Sequence, residues 1–195
     1  IVSRDWSSDV CSSDLSDPSS NWVGYQVRPL ESVCKALYLM KSSHVPPSGY
    51  SDLITTATTI VTRYLYYLSS FQVRNDNVAP PTDFYEFVEP TINYEEPHAS
   101  AFVLRSAIFA NLAGINSATT IRLIKACLDY LHSQYVSSGV MLGSFSSGQP
   151  TFTHNSVTYN EYFIFWHAEI IEALSLVIDK RDELNYPKCV YFIKP

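Results

Sequence analysis

The sequence has few of the residues and patterns that mark metal sites, disulfide frameworks and membrane spans. It contains four cysteines in 195 residues, without a CxxC pair or the Cys/His spacing of a zinc site. It has no Asn-X-Ser/Thr sequon, and no apolar run reaches the roughly 20 residues that a membrane-spanning helix requires. We therefore expect no structural zinc or other metal site, no disulfide scaffold and no membrane partner.

Basic residues are also scarce. The chain has 13 Lys and Arg against 19 Asp and Glu, which gives a formal net charge of −6. The basic residues are scattered, whereas binding to nucleic acid needs them clustered against the phosphates, so we expect no nucleic-acid partner. The sequence also lacks a GxSxG nucleophile elbow and a glycine loop that could cradle phosphate. Serine nucleophile chemistry, nucleotide binding and a cofactor are therefore not expected.

The first residues resemble a product of DNA sequencing. Arg4 to Leu15 reads RDWSSDVCSSDL, which is similar to a translation of the common short-read sequencing adapter at every position. We expect residues 1–15 to be an artifact, disordered and packed against nothing up to about Asp17, with the natural N-terminus missing. Residues 16–195 are then a single domain. The artifact carries one Arg against three Asp, which leaves the rest of the chain at about −4.

Five segments show apolar residues at spacings of three and four, which predicts amphipathic helices and a mainly all-α fold. The predicted helices are Tyr25 to Ser43, Ser51 to about Phe71, His98 to Ile115, Ser117 to Val136 and Glu161 to about Glu183. The third is apolar nearly all round, and Gly114 and Asn116 should end it and cap the next helix. We expect the third and fifth helices to be more buried than the second and fourth. Cys34 and Cys127 lie in apolar helical patterns, where a thiol acts as a small hydrophobe.

The connections differ in length. They are short within helix pairs and long after helices two and four, which predicts antiparallel hairpins arranged as part of an (α/α) toroid. Gln72 to Pro97 is rich in Pro and aromatics and should be a packed loop. Ser137 to Asn160 should contain a small β-hairpin excursion, with Val140 to Leu142 and Thr151 to Thr153 as its alternating pieces. Toroids of this kind are common among glycoside hydrolases and polysaccharide lyases.

Several short pieces resemble virion-associated structural proteins of tailed bacteriophages. They are PPTDF (Pro80 to Phe84), NYEEPH (Asn93 to His98), LAGI (Leu112 to Ile115), SQYVSSG (Ser133 to Gly139), GSFSSGQP (Gly143 to Pro150) and YNEYFIFWHAEIIEALSL (Tyr159 to Leu176). The resemblance implies a virion or extracellular location, with other virion proteins or a surface glycan as partners. It brings no catalytic residues with it.

Two similar tracts precede the third and fifth helices, each with an aromatic followed by polar or acidic groups. Their candidate catalytic residues are Glu95, Glu96, His98 and Glu161, and their candidate substrate-binding residues are Tyr94, Tyr159, Asn160 and Trp166. Carboxylates facing each other across a cleft can act as general acid and base on a glycosidic bond. Tyr and Trp faces can stack on sugar rings. An up-down topology would bring both tracts to one end of the bundle.

Packing explains the same residues without any function. Acids at a helix start are favoured by capping and by the helix dipole. His167 fits a core histidine, Trp166 fits core packing, and Glu169 and Glu172 share a helix face that a basic partner such as Arg105 can match. Three functions stay open: a phage virion module that contacts surface glycans, a carbohydrate-active hydrolase or lyase of toroid type, and a helical scaffold without a site.

Overall fold

A computed structural model describes residues 24–42, 49–74, 83–85, 88–91, 97–146, 151–154, 157–160 and 164–184. These residues form five α-helices: α1 (Gly24–Ser42), α2 (Ser51–Arg74), α3 (Pro97–Leu112), α4 (Ser117–Ser133) and α5 (Ile164–Lys180). Two antiparallel hairpins pair β1 (Asp83–Tyr85) with β2 (Val88–Thr91) and β3 (Thr151–His154) with β4 (Val157–Asn160). The expected mainly helical class is confirmed. No helix within these ranges has the length and apolar character needed to cross a membrane.

Helix α3 lies at the centre of the helical array. Its residues are buried from Pro97 to Ala110, and it packs against α1, α4 and α5. Helix α2 packs against α4 and α1. The all-round apolar pattern of α3 thus has the consequence expected from the sequence, since neighbours surround the helix on several sides.

Helices α1 and α3 run in the same direction. The Arg28 guanidinium lies 5.0 Å from the Phe102 ring centroid near their starts. Near their ends, Lys41 Nζ donates a hydrogen bond of 2.9 Å to the carbonyl oxygen of Ala113. The start of α1 therefore contacts the start of α3, and the end of α1 contacts the end of α3. The two helices lie side by side and run parallel.

Local signals explain the turn from α3 to α4. Gly114 has a φ of 74°, in the left-handed region that glycine enters without steric cost. Asn116 follows with a φ of 30°, and its side chain accepts a hydrogen bond from the Thr119 backbone N–H at 3.2 Å. The expected stop and cap are confirmed, although α3 ends at Leu112, three residues before the expected Ile115.

The threonine-rich middle of α2 is helical throughout. The hydroxyls of Thr55, Thr59 and Thr62 donate to carbonyl oxygens four residues earlier, at 2.9, 3.0 and 2.7 Å. Within a helix these bonds satisfy the polar side chains locally, which offsets part of the weak helix propensity of β-branched residues.

Several expectations from the sequence are wrong in detail. Helix α5 is less buried than α4: Ile171 and Ile178 are 60% and 61% exposed, whereas eight residues of α4 are buried. The segment Val140 to Leu142 is a turn, since β3 pairs with β4 instead. The connection Gln72 to Pro97 contains the β1–β2 hairpin. Helix α5 is described from Ile164, and its expected start at Glu161 lies outside the described residues. Apolar composition predicts burial only if a neighbour covers each face.

Candidate functional site

The starts of α3 and α5 meet at His98 and Trp166. The two rings stack with centroids 4.4 Å apart and an interplanar angle of 13°. His98 is 1% exposed and Trp166 is 8% exposed. The edges of Phe102 and Phe165 close the histidine ring from two further sides, at 6.2 and 6.3 Å. The imidazole therefore lies inside an aromatic enclosure.

This enclosure keeps His98 neutral. Burial, and to a smaller extent the positive charge of Arg28, lowers the pKa of His98 from 6.5 to about 3. The His98 imidazole is therefore uncharged near neutral pH and cannot act there as a cationic hydrogen-bond donor. The contribution of this histidine at that pH is its flat ring, which packs against Trp166.

About two helical turns after His98 on α3, Arg105 forms the centre of a charge cluster. Its guanidinium donates to both carboxylate oxygens of Glu31 on α1, from Nε at 2.8 Å and from Nη2 at 2.9 Å. On α5 it donates to Glu169 Oε2 at 2.6 Å and to the Glu169 carbonyl oxygen at 2.8 Å. Glu172 Oε2 lies 3.4 Å from Nη1. The expected match of Glu169 and Glu172 to Arg105 is confirmed.

The cluster shows how a charge is accommodated in the core. The Arg105 side chain is 4% exposed, and burial of an unpaired guanidinium is costly. Burial alone would lower its pKa, but hydrogen bonds and attraction from Glu31 and Glu169 leave the pKa above the ordinary value. The guanidinium also lies 4.8 Å from the Phe102 ring centroid, within cation–π distance. Arg105 therefore remains charged and fixed in position.

These contacts also give the direction of α5. The start of α3 meets the start of α5 through His98 and Trp166, and Arg105 reaches Glu169 and Glu172 further along. Helices α1, α3 and α5 therefore run parallel, and Arg105 on α3 is bonded to both of the others.

A second histidine connects α5 to the loop after α4. The Phe145 backbone N–H donates to His167 Nε2 at 3.1 Å, and the two rings lie 6.3 Å apart. His167 is half-buried. Its role as a hydrogen-bonded packing residue agrees with the interpretation from the sequence.

The structure brings only some of the expected site residues together, and others lie outside the described residues. His98 and Trp166 come together, while Tyr159 and Asn160 belong to strand β4. Tyr94, Glu95, Glu96 and Glu161 lie outside the described residues, as does the expectation for residues 1–17. Among the residues that the structure describes, no three His, Cys, Asp or Glu side chains form a group that could hold a metal ion.

Glu31 is the residue that the sequence reasoning missed. The available signal was its position on α1, next to buried Leu30 and three residues before buried Cys34. A partly buried carboxylate at such a position is stabilised by a basic partner, and Arg105 is the one Lys or Arg in α3.

Comparisons of this chain with protein-family models, curated proteins and solved structures find no match.

Proposed function

We propose that this chain is a virion-associated structural module of a tailed-bacteriophage particle. The observation that carries the structural role is the way in which α3 and α5 use their charged and aromatic side chains. His98 and Trp166 stack on each other, and Arg105 binds carboxylates from two neighbouring helices. These groups hold helices together, which is what a load-transmitting module needs.

An arrangement as part of an (α/α) toroid is the second element of the proposal. In arrays of helical hairpins, alternate helices form one layer and the remaining helices form the other. The parallel helices α1, α3 and α5 correspond to one layer, because α3 packs against both of the others. Helices α2 and α4, which pack against each other, correspond to the second layer. The four-residue connection between α3 and α4 fits the close pairing within a hairpin.

The phage assignment rests on the resemblance of the sequence pieces described above, and proteomics tests it. Trypsin should release the peptide Ser106 to Arg122, since Arg105 and Arg122 flank it. We expect mass spectrometry to detect this peptide in density-purified particles from a culture whose DNA encodes the reading frame. Its presence in the cell lysate combined with its absence from purified particles would contradict the assignment.

Glycan contact is a further expectation from the sequence. An assay that measures both glycan retention and bond cleavage separates it from enzyme activity. The full chain, Glu96→Gln and Glu161→Gln are compared for retention in polysaccharide-containing gels and for bond cleavage. We expect no cleavage by the wild-type chain, with retention weakened in the variants. Cleavage that is lost in either variant while retention persists would establish a glycoside hydrolase or lyase instead.

A further inference from the structure

Helix α1 carries a line of small and apolar residues on its exposed side. Its members recur at spacings of three, four and three residues, which places them along one face of the helix. They are Pro29, Ser32, Ala36 and Leu39, and all four are exposed. We call this line the α1 stripe. It is separate from the buried face of α1, which is formed by Val27, Leu30, Cys34 and Leu37.

Helix α5 carries a line of residues with the same spacing. Its members are Ala168, Ile171, Ser175 and Ile178, and all four are exposed. We call this line the α5 stripe. The two stripes agree in length and in the spacing of their members, and small residues on both allow two helices to approach closely.

Cations flank the α1 stripe. Arg28 directly precedes Pro29, and Lys35, seven residues later, directly precedes Ala36. The Arg28 guanidinium lies 5.0 Å from the ring centroid of Phe102. Lys35 Nζ lies 5.9 Å from that of the next phenylalanine on α3. Both cations therefore lie on the same side of α1.

Carboxylates flank the α5 stripe at the same spacing of seven residues. Glu172 directly follows Ile171, and Asp179 directly follows Ile178. Their side chains are 65% and 69% exposed. Glu172 shares Arg105 with two other carboxylates, so this side of α5 keeps an excess of negative charge.

The two stripes match in one register of parallel helices. If Pro29 lies opposite Ala168, the remaining members meet in order: Ser32 with Ile171, Ala36 with Ser175 and Leu39 with Ile178. The described ends of α5, Ile164 and Lys180, then lie opposite positions one residue inside the ends of α1 (Gly24–Ser42). The two helices therefore overlap along almost their whole length. Helix α3 already contacts both α1 and α5 in parallel orientation.

Charge favours this register. In a parallel helix pair, the residue before a stripe position on one helix faces the residue after the next stripe position on the other. Arg28 then faces Glu172, and Lys35 faces Asp179. Both pairs join opposite charges, which makes the exposed side of α5 complementary to the exposed side of α1.

The exposed apolar pair on α2 lacks this feature. Leu53 and Ile60 are 55% and 59% exposed. The charged residues of α2 do not recur every seven residues, since they are Asp52, Arg63 and Arg74. The matching charges, rather than apolar exposure alone, therefore distinguish the stripes of α1 and α5.

We propose that a second copy of this chain docks through these stripes, with the α5 stripe of one copy on the α1 stripe of the next. The contact joins two different surfaces, so one stripe stays open at each end and further copies add to form a ring or a filament. Burial of apolar side chains drives the association, and the two ion pairs set its direction and register. The proposal does not depend on the virion role proposed above.

Charge reversal with rescue tests the pairing. Lys35→Glu brings two carboxylates together at the contact, and Asp179→Lys brings two ammonium groups together. An equimolar mixture of the two variants joins opposite charges again at every mixed contact. Sedimentation equilibrium of the full chains over about 1 to about 100 μM measures the association. We expect the association constant of each variant alone to fall at least about tenfold and to recover in the mixture.

The controls are matched substitutions on α2. Arg63→Glu and Asp52→Lys reverse charges at exposed positions, and Ile60→Ser matches Ile178→Ser, at side chains that are 59% and 61% exposed. We expect Ile178→Ser to weaken association and the α2 variants to retain it. Urea unfolding should show that every variant folds, because all of these side chains are exposed. Raising NaCl from about 50 to about 500 mM should weaken association of the wild-type chain, which tests the ion pairs without any variant.

Five outcomes would overturn the proposal. They are a monomeric wild-type chain at the highest concentration, association that stops at a dimer, association that is independent of salt, no recovery in the mixture, and equal weakening in the α2 controls. A limit at the dimer would indicate a self-complementary contact instead of a contact between two different stripes.

Cross-linking tests the register directly. In a background of Cys11→Ser and Cys189→Ser, an Ala36→Cys chain is mixed with a Ser175→Cys chain and mildly oxidised. We expect a disulfide-linked pair from the mixture, because these two positions face each other in the proposed register. Equal cross-linking of either chain alone would contradict the pairing of α1 with α5.

Discussion

Glu31 and Arg105 meet through two parallel hydrogen bonds, with Nε–Oε1 and Nη2–Oε2 distances of 2.8 and 2.9 Å. This two-point geometry fixes both the distance and the rotation between α1 and α3. The same guanidinium donates to Glu169 on α5. A single buried cation therefore connects three parallel helices, and removal of Arg105 would leave Glu31 and Glu169 without this partner.

Acid should destabilise the fold through His98. Its pKa is about 3 in the folded chain and ordinarily 6.5, so the unfolded chain takes up the proton first. The contribution of neutral His98 to the free energy of unfolding is fully present above pH 6.5. It is lost as the pH drops toward 3, by at most about 1.4 kcal/mol per pH unit. Urea unfolding at about pH 7 and about pH 5 should differ by roughly 2 kcal/mol from this group.

The His98→Phe variant isolates this effect, because it keeps an aromatic ring against Trp166 and cannot take up a proton. We expect a shallower loss of stability with acid than in the wild-type chain. His132→Gln, at an exposed position on α4, should retain the wild-type dependence. The same pH slope in His98→Phe and wild type would show that His98 does not contribute.

Trp166 should be a core residue in mutational tests. Trp166→Ala removes a large side chain that is 8% exposed, and truncation at buried aromatic sites costs about 3 to 5 kcal/mol. Phe165→Ala, at a neighbouring side chain that is 51% exposed, should cost less than about 1.5 kcal/mol. Chemical denaturation measures both. Equal losses in the two variants would contradict the burial of Trp166.

Asn116 should be replaceable by glycine but not by alanine. Alanine removes the oxygen that caps the Thr119 N–H and is strained at a φ of 30°. We expect Asn116→Ala to lose roughly 2 kcal/mol of unfolding free energy, about 1 from the cap and about 1 from the left-handed backbone. Asn116→Gly should remain within about 0.5 kcal/mol of wild type, because glycine adopts this conformation freely. Similar stability of the two variants would argue against the left-handed cap.

The Cys34 thiol should be unreactive in the folded protein. Burial, with a smaller effect of Glu31, raises its pKa to about 12, so almost no thiolate forms at mildly alkaline pH. Cys127 is also buried. In a Cys11→Ser/Cys189→Ser background, a disulfide reagent should label neither thiol in buffer and both in concentrated urea. Rapid labelling of Cys34 in buffer would contradict the burial of this face of α1.

Local signals in the sequence predicted the helices and the α3–α4 turn well. Periodicity locates a helix, and Gly114 with Asn116 locates its end, because both depend on neighbours in the chain. The Arg105 match to Glu169 was also accessible, since a lone cation in a buried helix needs an acid. Glu31 was missed because 74 residues separate it from Arg105, and periodicity does not state which faces of distant helices meet.

Tertiary packing explains the remaining differences. Helix α5 was expected to be buried because it is rich in apolar residues, yet none of its described neighbours covers Ile171 and Ile178. His98 was a candidate because it follows the acidic tract before α3, and Trp166 was a candidate because Trp faces can stack on sugar rings. Their stacking depends on the approach of two helix starts, which no local pattern encodes. The meeting of the carboxylates of the two tracts at one end of the bundle stays a prediction.

The coupling free energy between Glu31 and Arg105 tests most directly whether the charge cluster holds the helices together. Glu31→Gln, Arg105→Gln and the double variant form a mutant cycle measured by urea unfolding. Arg105→Gln alone should cost about 3 kcal/mol, at the low end for a buried pair, because Glu31 keeps 17% side-chain exposure. Glu172→Gln, at a carboxylate that is 65% exposed, should cost less than about 1 kcal/mol. We predict a Glu31–Arg105 coupling of at least about 1.5 kcal/mol, and a coupling below about 0.5 kcal/mol would contradict the account.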